Sequence, residues 1–517
     1  MLAKIISAAN IGLDANLVTC EIDISSQGLP SFTIVGLGDR AVEESKERVR
    51  AAFRNSGAEF PLHRITVNLA PADMPKEGPA YDLPIALGLL LASGQVISNP
   101  EKLDLENTLI AGELSLDGSL RKINGVLPLA ILAKTRGIKR MIVPKDNGVE
   151  AAIIEGLEVL APESLQQLVR ILLGQESLEF VERPVINLED GLSYEYDFSQ
   201  IKGQESAKRA LEISAAGGHN ILLKGPPGAG KTMLARSFPS ILPPLTFEEA
   251  IEVTKIYSIA GLLDSNNSLV TTRPFRSPHH SASYVGLLGG GNNIRPGEIS
   301  LAHRGVLFLD EVAEFPRQSV ESLRQPLEDR RITISRASGS ISLPAQFVLF
   351  AARNPCPCGF LGDKKRNCAC MPGQIAKYKR RISGPFLDRI DIYLEVPPVE
   401  VEKLSADLEV ESSAEIRKKV TAARKIQLDR FKGPPAGRAG KILTNSEMGN
   451  KDIKEHCTLT QEGLDLLKMA VSSLNLSARG YHRVLKLSRT IADLATSENI
   501  QAEHIAEALQ YRAREES

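Results

Sequence analysis

The chain contains 517 residues, of which 43% are hydrophobic, and this composition is typical of a folded protein with about three domains. Its 62 Lys and Arg residues nearly balance 63 Asp and Glu residues, and the formal net charge is -1. This balance excludes bulk attraction of the whole chain to nucleic acid, so any such contact has to come from a local basic surface.

Neither the start of the chain nor its longest apolar run predicts a targeting or membrane segment. The opening segment, MLAKIISAANIGLDANL, has only a short apolar run, which Asp14 soon follows, and it shows no convincing cleavage site. The run LPIALGLLLASGQVI, at 83–97, is shorter than the roughly 20 apolar residues of a membrane span and predicts a buried core helix. We therefore expect a cytoplasmic protein.

Periodicity divides the chain into five regions. Residues 1–175 alternate β-like runs such as FTIVGLG with helical runs such as AVEESKERVRAAFRNSG, which favours a mixed α/β domain. Residues 176–200 lack strong periodicity and are predicted to be a linker. From 201 to 397, apolar strands alternate with helices as in a parallel doubly wound sheet. Residues 398–440 are interpreted as a linker with a helical segment that ends in the flexible run GPPAGRAG, and 441–517 as a helical lid domain.

The first region resembles the proteolytic domain of Lon-type proteases in the segments MPKEGPAYDLPIALGLL and INGVLPLAILAKTRGIKRMIVP. In the protease pattern a nucleophilic Ser follows a Gly-Pro pair, but here Ala80 follows Gly78 and Pro79. The partner Lys is expected shortly after an Asn-Gly turn, where this chain has Leu127. Alanine has no nucleophile and leucine no base, so the resemblance implies an α+β Lon-like fold without the Ser–Lys dyad.

The segment ILLKGPPGAGKTML contains the pattern G-x-x-x-x-G-K-[ST] of a phosphate-binding loop. The loop consists of Gly225, Pro226, Pro227, Gly228, Ala229, Gly230, Lys231 and Thr232. It follows a predicted strand and opens a predicted helix, so that backbone N–H groups and the helix N-terminus face the phosphates. We expect Lys231 to reach the β and γ phosphates and Thr232 to coordinate Mg²⁺.

The run GVLFLDE predicts a buried strand that ends in Asp310 and Glu311. Such a strand delivers one carboxylate to the Mg²⁺ shell and another to a water molecule. We therefore predict Asp310 as a magnesium ligand and Glu311 as the general base of nucleotide hydrolysis. A core strand that merely ends in acidic residues is the less favoured alternative, because the phosphate loop lies in the same region.

Lys231, Asp310 and Glu311, followed by AARNP and SGPFLDRID, resemble the motifs of AAA+ ATPases. The chain is most similar to the magnesium-chelatase and MCM branch, and within it to the ComM (YifB-like) family, over nearly its whole length. This resemblance implies ATP as the nucleotide. It also implies an α/β fold in which an AAA+ doubly wound parallel sheet with a C-terminal helical lid follows the Lon-like domain.

The same resemblance assigns two further catalytic residues. Asn354 matches the first sensor, which polarises the attacking water, and Arg389 matches an arginine finger that enters a neighbouring subunit's site. A planar guanidinium suits the spread negative charge of phosphoryl transfer. A surface salt bridge is the alternative for Arg389, and Arg380 or Arg381 competes for the same role.

The tail segment NLSARGYHRVLKLSRTIADLA has the apolar spacing of an amphipathic helix. Arg479 matches the second-sensor arginine of MCM-like lids, and Arg483 lies a turn away. A lid helix that carries such a cation would couple the nucleotide state to subunit rotation. A solvated helix charge is the alternative for either arginine.

The segment RRITISRASGSISLPAQ, which lies between the acidic strand and the sensor, predicts a β-hairpin because apolar residues alternate on both sides of a Ser/Gly turn. Arg336 falls where MCM-type helicases carry a basic pore-hairpin residue. In a ring, such a cation would hold DNA phosphates without sequence preference. An exposed edge hairpin with a protective charge is the alternative. The insert that contains Arg273 and Arg276 is a second candidate for substrate contact.

Four of the six cysteines crowd into NPCPCGFLGDKKRNCACMPG, namely Cys356, Cys358, Cys368 and Cys370. Four thiolates on one short loop suit a tetrahedral zinc ion, although C-x-C is less usual than C-x₂-C. Free or redox-active thiols are an equal alternative. A zinc ion here would be structural, because no coordination position stays open for catalysis.

Together these features predict an ATP-driven ring motor, a homohexamer, that translocates on single-stranded or branched DNA. The family resemblance implies branch migration during homologous recombination and natural transformation. The alternative is a magnesium-chelatase-like AAA+ subunit that remodels a protein partner and drives metal insertion into a tetrapyrrole. A dedicated chelatase motor does not require an attached Lon-like domain, which favours the DNA motor.

Overall fold

The computed structural model describes residues 2–97, 103–188, 194–264, 268–291, 295–336, 339–363, 366–398, 410–432 and 442–512. The chain forms two compact units. The first comprises Met1–Asn187 and Phe247–Val270, and the second comprises Leu188–Thr246 and Thr271–Ser517. The stretch Phe247–Val270, which lies within the predicted ATPase region, is therefore part of the first unit.

The first unit is built around a mixed sheet of seven strands in the order β3-β4-β2-β1-β5-β8-β9. The strands of the first unit are β1 (Leu2–Ile11), β2 (Asp14–Ser25), β3 (Ser31–Val35), β4 (Arg64–Ala70), β5 (Thr108–Ile110), β6 (Glu113–Leu114), β7 (Leu120–Arg121), β8 (Arg140–Ile142) and β9 (Glu158–Leu160). Of these, β6 and β7 pair with each other outside the seven-stranded sheet. The helices of the first unit are α1 (Arg40–Asn55), α2 (Asp82–Ala92), α3 (Val126–Thr135), α4 (Lys145–Ala152), α5 (Leu165–Leu172) and α8 (Phe247–Ala260). In β4 every second residue is buried, because alternate side chains of a strand face the core.

The longest apolar run of the chain forms the buried helix α2. Every residue of α2 except Leu91 is buried, including Asp82. The buried Asp82 carboxylate accepts a hydrogen bond from Nε of Arg48 at 2.6 Å, which satisfies a charge that would otherwise destabilise the core. The prediction of a core helix is confirmed. Among the described residues, no helix combines the length and apolar character needed to cross a bilayer.

Helix α8 contributes to the packing and to a buried polar cluster of the first unit. Its Ser258 hydroxyl donates to Oε1 of Glu150 at 2.5 Å, and the same oxygen accepts from the N–H of Leu127 at 2.9 Å. The other oxygen accepts from Nδ2 of Asn147 at 3.1 Å. Glu150 is only 4% exposed, and its burial raises the pKa of the carboxyl above the usual value.

The second unit contains a parallel sheet of five strands in the order β11-β14-β17-β10-β18. These strands are β10 (Ile221–Lys224), β11 (Phe275–Arg276), β14 (Val306–Leu309), β17 (Val348–Arg353) and β18 (Ile392–Glu395). Two hairpins add β12 (Gly289–Gly290) with β13 (Arg295–Pro296), and β15 (Arg331–Arg336) with β16 (Gly339–Pro344). The helices around the sheet are α6 (Glu205–Gly217), α7 (Lys231–Ser237), α9 (Tyr284–Leu288), α10 (Glu298–Leu301), α11 (Arg317–Ser322), α12 (Arg324–Asp329), α13 (Pro372–Lys379) and α14 (Gly384–Leu387). β14 reads as a continuous apolar run because all four of its residues are buried.

The C-terminal part of the second unit is helical. It consists of α15 (Ser413–Arg430), α16 (Asn450–His456), α17 (Gln461–Ser473), α18 (Ala478–Leu494) and α19 (Ala502–Gln510). Of the residues that the sequence spacing predicts on the apolar face of helix α18, Val484, Leu487 and Ile491 are buried and Leu494 is partly buried. The break predicted at 433–440 lies outside the described residues.

The buried Glu150 carboxylate predicts a pH-dependent stability of the first unit. Because the pKa of Glu150 is raised in the folded state, the folded chain retains a proton that the unfolded chain releases as pH rises above the unfolded-state pKa of about 4.3. The free energy of unfolding is therefore expected to fall by up to about 1.4 kcal/mol per pH unit until the folded-state pKa is passed.

Thermal unfolding of the full chain between pH 4.5 and pH 8 checks this, with Glu150→Gln as the test variant and Glu155→Gln, at an exposed carboxylate, as the control. The Glu150→Gln chain should gain stability relative to the native chain as pH rises, and the control should follow the native chain. Parallel pH profiles for Glu150→Gln and the native chain would contradict the assignment.

Candidate functional site

The phosphate loop leaves the carboxyl end of β10 and leads into α7. Lys231 is the first residue of α7, and Gly230 caps the helix with a left-handed backbone, φ 82°. Glycine suits this position because residues with a Cβ atom rarely adopt positive φ. The loop and helix thus form the strand-turn-helix that the sequence pattern predicts.

The Lys231 ammonium is held by oxygen atoms inside the loop. It donates to the carbonyls of Gly225 and Pro226 at 2.7 and 2.8 Å, and to Oδ1 of Asn354 at 3.2 Å. The residue is 8% exposed, and burial lowers its pKa below the usual value, while the nearby carboxylates of Asp310 and Glu311 oppose this shift. The arrangement places a cation at the base of the loop, where a phosphate oxygen would be neutralised.

The two acidic residues at the end of β14 lie beside the loop. Oδ2 of Asp310 accepts a hydrogen bond from the Thr232 hydroxyl at 2.9 Å, so the two predicted magnesium ligands are in direct contact. Glu311 is exposed and has φ 48°, a region that non-glycine residues seldom occupy. Such backbone outliers cluster at active sites, where the surrounding structure holds them.

Asn354 and its neighbour Arg353 complete a pocket of about 330 Å³ around these groups. The pocket is lined by the loop from Pro227 to Met233, by both acidic residues and by the end of β17. For the buried Nε atom of Arg353, no hydrogen-bond partner lies among the described residues. The sequence motifs did not single out Arg353 as a pocket residue, although it directly precedes Asn354 at the end of a strand.

Arg389 lies at the opposite end of the same sheet, beside the amino ends of the strands. β18 pairs with β10 in parallel, Ile392 opposite Ile221, so Arg389 precedes the amino end of β18. The side chain of Asn220 donates to the carbonyl of Arg389 at 3.0 Å. Because β10 spans four residues, this end of the sheet is about 13 Å from the end that carries the phosphate loop.

The guanidinium of Arg389 is largely buried and occupied within the chain. It contacts the Glu328 carboxylate, donates to the carbonyl of Arg324 at 3.2 Å, and its side chain is 10% exposed. Of the competing arginines, Arg381 contacts the Glu314 carboxylate, and Arg380 is exposed.

Arg479 and Arg483, at the start of α18, lie near the same end of the sheet. Arg479 is 3.9 Å from carboxylate oxygens of both Glu328 and Asp388, and its side chain is 64% exposed. Arg483 donates to the carbonyl of Asp388 at 2.7 Å. Arg389, the predicted finger, and Arg479, the predicted second sensor, therefore share the Glu328 carboxylate. This carboxylate lies at the end of the sheet away from the chain's own phosphate loop.

The predicted DNA-contacting hairpin is formed by β15 and β16. Arg336 pairs with Gly339 at the last register position before the tip, and residues 337–338 lie outside the described residues. In the second candidate region, Arg273 donates to the carbonyls of Pro243 and Arg304, at 2.6 and 2.7 Å. Arg276 forms a bidentate ion pair with Glu298, at 2.7 and 2.8 Å. Both of these arginines thus have structural partners within the chain.

The positions of the Lon-type dyad hold no catalytic group. Leu127 is buried in α3 and belongs to an apolar cluster, against which Ala80 and Ile251 of α8 pack. Lys122, the nearest lysine in sequence, donates to the carbonyl of Leu263 at 2.6 Å. Ala80 and Leu127 thus place apolar side chains, with neither a nucleophile nor a base, at these two positions.

Comparison with known proteins identifies the family. Residues 197–404 match magnesium chelatase, subunit ChlI; residues 20–147 match subunit ChlI of Mg-chelatase; and residues 410–512 match the C-terminal part of that subunit. The chain is 45% identical over 519 residues to competence protein ComM of Haemophilus influenzae, covering 99% of this chain and 97% of that protein. It is also 45% identical to the uncharacterized protein YifB of Escherichia coli, covering 98% and 96% of the two chains. The chain belongs to the ComM/YifB family.

The N-terminal resemblance is supported separately. The chain is 32% identical over 127 residues to Lon protease 2 of Bacillus subtilis, covering 24% of this chain and 21% of that protease. The predicted fold class is confirmed: an AAA+ parallel sheet with a helical C-terminal region follows a Lon-like domain.

Membership of the magnesium-chelatase-type AAA+ proteins implies ATPase activity with ATP and Mg²⁺. The pocket of this ComM/YifB-family chain fits both groups, because a buried ammonium and hydroxyl and carboxylate oxygens converge there. Lys231 would hold phosphate oxygens, and the adjacent Thr232 and Asp310 oxygens are the hard ligands that Mg²⁺ prefers. When bound, Mg²⁺ neutralises charge on the phosphates.

The position of Glu311 beside this pocket predicts that the residue is needed for hydrolysis but not for nucleotide binding. Removing a general base costs on the order of 10²- to 10⁴-fold in turnover, and we expect Glu311→Gln to lose ATPase activity on this scale. Its affinity for a fluorescent ATP analogue should stay within a few-fold of the native value.

The matched control is Glu314→Gln, in the same short turn but paired with Arg381. Steady-state phosphate release and equilibrium nucleotide binding measure the two effects. Unchanged turnover in Glu311→Gln would show that another group acts as the base.

Proposed function

We propose that this chain is an ATP-driven ring motor that acts on branched DNA, as a branch migration helicase in homologous recombination and natural transformation. The observation that carries the proposal is the position of Arg389 at the end of the sheet opposite its own phosphate loop. A guanidinium there is out of reach of the nucleotide held by the same chain, and it would have to exchange its contact with Glu328 to bind the nucleotide of a neighbouring chain. A head-to-tail interface generates a ring when the rotation between copies closes, and we propose such a ring of six copies.

The proposed catalytic cycle divides the work between two chains. One chain supplies Lys231 for the phosphates, Thr232 and Asp310 for Mg²⁺, and Glu311 to accept a proton from the attacking water. Asn354, which is hydrogen-bonded to Lys231, would orient that water. The neighbouring chain supplies Arg389, whose planar guanidinium stabilises the charge that spreads over the transferring phosphoryl group.

Arg479 is proposed to act with Arg389 as the second sensor. Both arginines face Glu328 within one chain, at 3.9 Å in the case of Arg479. A phosphate group of the neighbouring chain's nucleotide would compete with Glu328 for these two cations. Exchange between the two partners would move α18 and so transmit the nucleotide state to the helical lid.

DNA is proposed as the substrate on two grounds. One relative of similar length is named competence protein ComM. The hairpin β15–β16 follows the acidic strand β14 and carries Arg336 beside its tip, where a cation in a ring channel would bind backbone phosphates. Because the net charge of the chain is -1, DNA binding has to depend on such local cations.

The second candidate function is a magnesium-chelatase-like motor that remodels a protein partner. The matches of all three family descriptions to magnesium chelatase subunit ChlI favour it. This function shares the ATPase site and differs only in what the ring moves. The proposed DNA motor requires ATP and Mg²⁺ for hydrolysis, and we place it in the cytoplasm, as the sequence predicts.

Completion of each site by a neighbour predicts complementation between two inactive variants. Lys231→Ala lacks the phosphate cation but keeps the finger, whereas Arg389→Ala keeps the phosphate site but lacks the finger. Loss of a finger costs about 10³- to 10⁵-fold in turnover, so each variant alone should be inactive. An equal mixture should regain about one quarter of the native ATPase rate, because about one interface in four combines an intact site with an intact finger.

Mixtures of Lys231→Ala with Arg381→Ala provide the matched control, since Arg381 pairs with Glu314 rather than Glu328. Arg381→Ala alone should retain native activity. Full ATPase activity of Arg389→Ala, or of a strictly monomeric native chain, would reject the shared site.

Arg336 is predicted to couple ATP hydrolysis to DNA. The basal ATPase rate of Arg336→Ala should match that of the native chain, while stimulation by single-stranded and forked DNA should be lost because the phosphate-binding cation is gone. ATPase assays with and without each DNA, together with a branch migration assay, measure this.

The control is Arg331→Ala, which removes an exposed arginine at the other end of the same strand. Ala80→Ser in the first unit should also leave the DNA response intact, because no base accompanies the new hydroxyl. If DNA fails to stimulate the native chain at all, the chelatase-like function is favoured instead.

A further inference from the structure

Four cysteine sulfur atoms converge on one point beside the nucleotide site. The Sγ atoms of Cys356 and Cys358 lie 3.4 Å apart, and Sγ of Cys368 lies 3.7 and 3.6 Å from them. All four sulfur atoms, including that of Cys370, lie within 4.8 Å of one another. All six cysteines are free, and these distances are far longer than the roughly 2.05 Å of a disulfide bond.

The spacing matches the ligand shell of a single tetrahedral ion. With Zn–S bonds of about 2.3 Å, the edges of a tetrahedron of four sulfur atoms measure about 3.8 Å. The three sulfur separations of 3.4 to 3.7 Å approach this value. Soft thiolates select zinc over Mg²⁺ or Ca²⁺, which require oxygen ligands.

The local backbone is folded to bring the two C-x-C pairs together. The N–H of Gly359 donates to the carbonyl of Cys356 at 3.0 Å, which closes a turn around the first pair. The N–H of Cys358 donates to Sγ of Cys370 at 3.4 Å and so joins the two pairs. Cys356 is completely buried, although the other three sulfur-bearing residues are only partly so.

The same turn rests on the phosphate loop. Gly359 has φ 85°, and a Cβ atom built on it would lie 2.5 Å from Cδ of Pro227. Only glycine permits this approach and this backbone conformation together. On the other side, Cys356 follows two residues after Asn354, which bonds to the Lys231 ammonium. The cysteine turn therefore contacts the phosphate loop directly and is continuous with the sensor residue.

We propose that Cys356, Cys358, Cys368 and Cys370 bind one structural zinc ion, which holds this turn against Pro227 and thereby maintains the affinity of the nucleotide site. The metal site stands independently of the DNA motor, and its effect on affinity rests on the ATP site of the proposed function. Four thiolates fill the tetrahedral shell, so the ion takes no part in hydrolysis. Loss of the ion would leave this turn free to move away from Pro227.

Metal content of the purified full chain tests the site itself. We expect one zinc per native chain, and replacement by cobalt should give the visible absorption of a tetrahedral thiolate complex. Cys358→Ser and Cys370→Ser should each lose the bound zinc. Cys457→Ser is the control, because this buried cysteine of the same unit contacts the Leu485 carbonyl and is remote in sequence from the cluster. Four titratable thiols without metal, a disulfide within the cluster, or bound iron in place of zinc would overturn the assignment.

Gly359→Ala separates metal binding from its effect on the nucleotide. All four thiolates remain, so zinc content should stay at one per chain, but the added methyl group should push the turn away from Pro227. We expect the dissociation constant for a fluorescent ATP analogue to rise by roughly tenfold, the scale of one unfavourable steric contact in a packed site. Gly362→Ala, in the same loop with φ 80° but nothing within 4 Å of its added Cβ, is the matched control for backbone conformation.

Zinc removal from the native chain should weaken nucleotide binding in the same direction, with circular dichroism confirming that the chain stays folded. Native affinity in both zinc-free chain and Gly359→Ala would overturn the link between the ion and the phosphate loop. None of these readouts depends on DNA or on a ring, so failure here is distinguishable from failure of the proposed motor.

Discussion

The direction of the strands in the five-stranded parallel sheet governs the arrangement of charged groups in the second unit. The carboxyl ends of all five strands lie at one end of the sheet, so the phosphate loop after β10 and the acidic pair after β14 meet there. The residues that precede the strands lie at the other end of the sheet, where the side chain of Asn220 donates a hydrogen bond to the carbonyl of Arg389. The length of a strand thus keeps Lys231 and Arg389 of one chain apart.

Both cations are held by protein oxygens in the isolated chain. The Lys231 ammonium lies among loop carbonyls and Asn354, and the Arg389 guanidinium contacts Glu328. Buried charges without partners are strongly unfavourable, so these contacts stabilise both side chains in their observed orientations. Under the proposed function, binding at either cation would exchange one of these protein oxygens for a phosphate oxygen.

The first unit shows how a Lon-like fold persists without its catalytic residues. Ala80 and Leu127 replace a nucleophile and a base with apolar side chains that pack in one cluster. The nearby Glu150 carboxylate is satisfied internally, since it accepts hydrogen bonds from the backbone of Leu127 and from Ser258 of α8. This use of α8, a helix that follows the phosphate loop in sequence, makes the first unit depend on a segment from the middle of the chain.

The sequence by itself determined the strand, turn and helix that carry Lys231 and Thr232, because the spacing of this phosphate-loop pattern is local. It also determined that the Lon-type dyad is missing, since that depends only on residue identity. The tertiary structure alone decided that Arg389 pairs with Glu328 at the far end of the sheet, that α8 belongs to the first unit, and that Arg353 lines the pocket. These relations join residues far apart in the chain, and their proximity is set by strand order and packing, which no local spacing encodes.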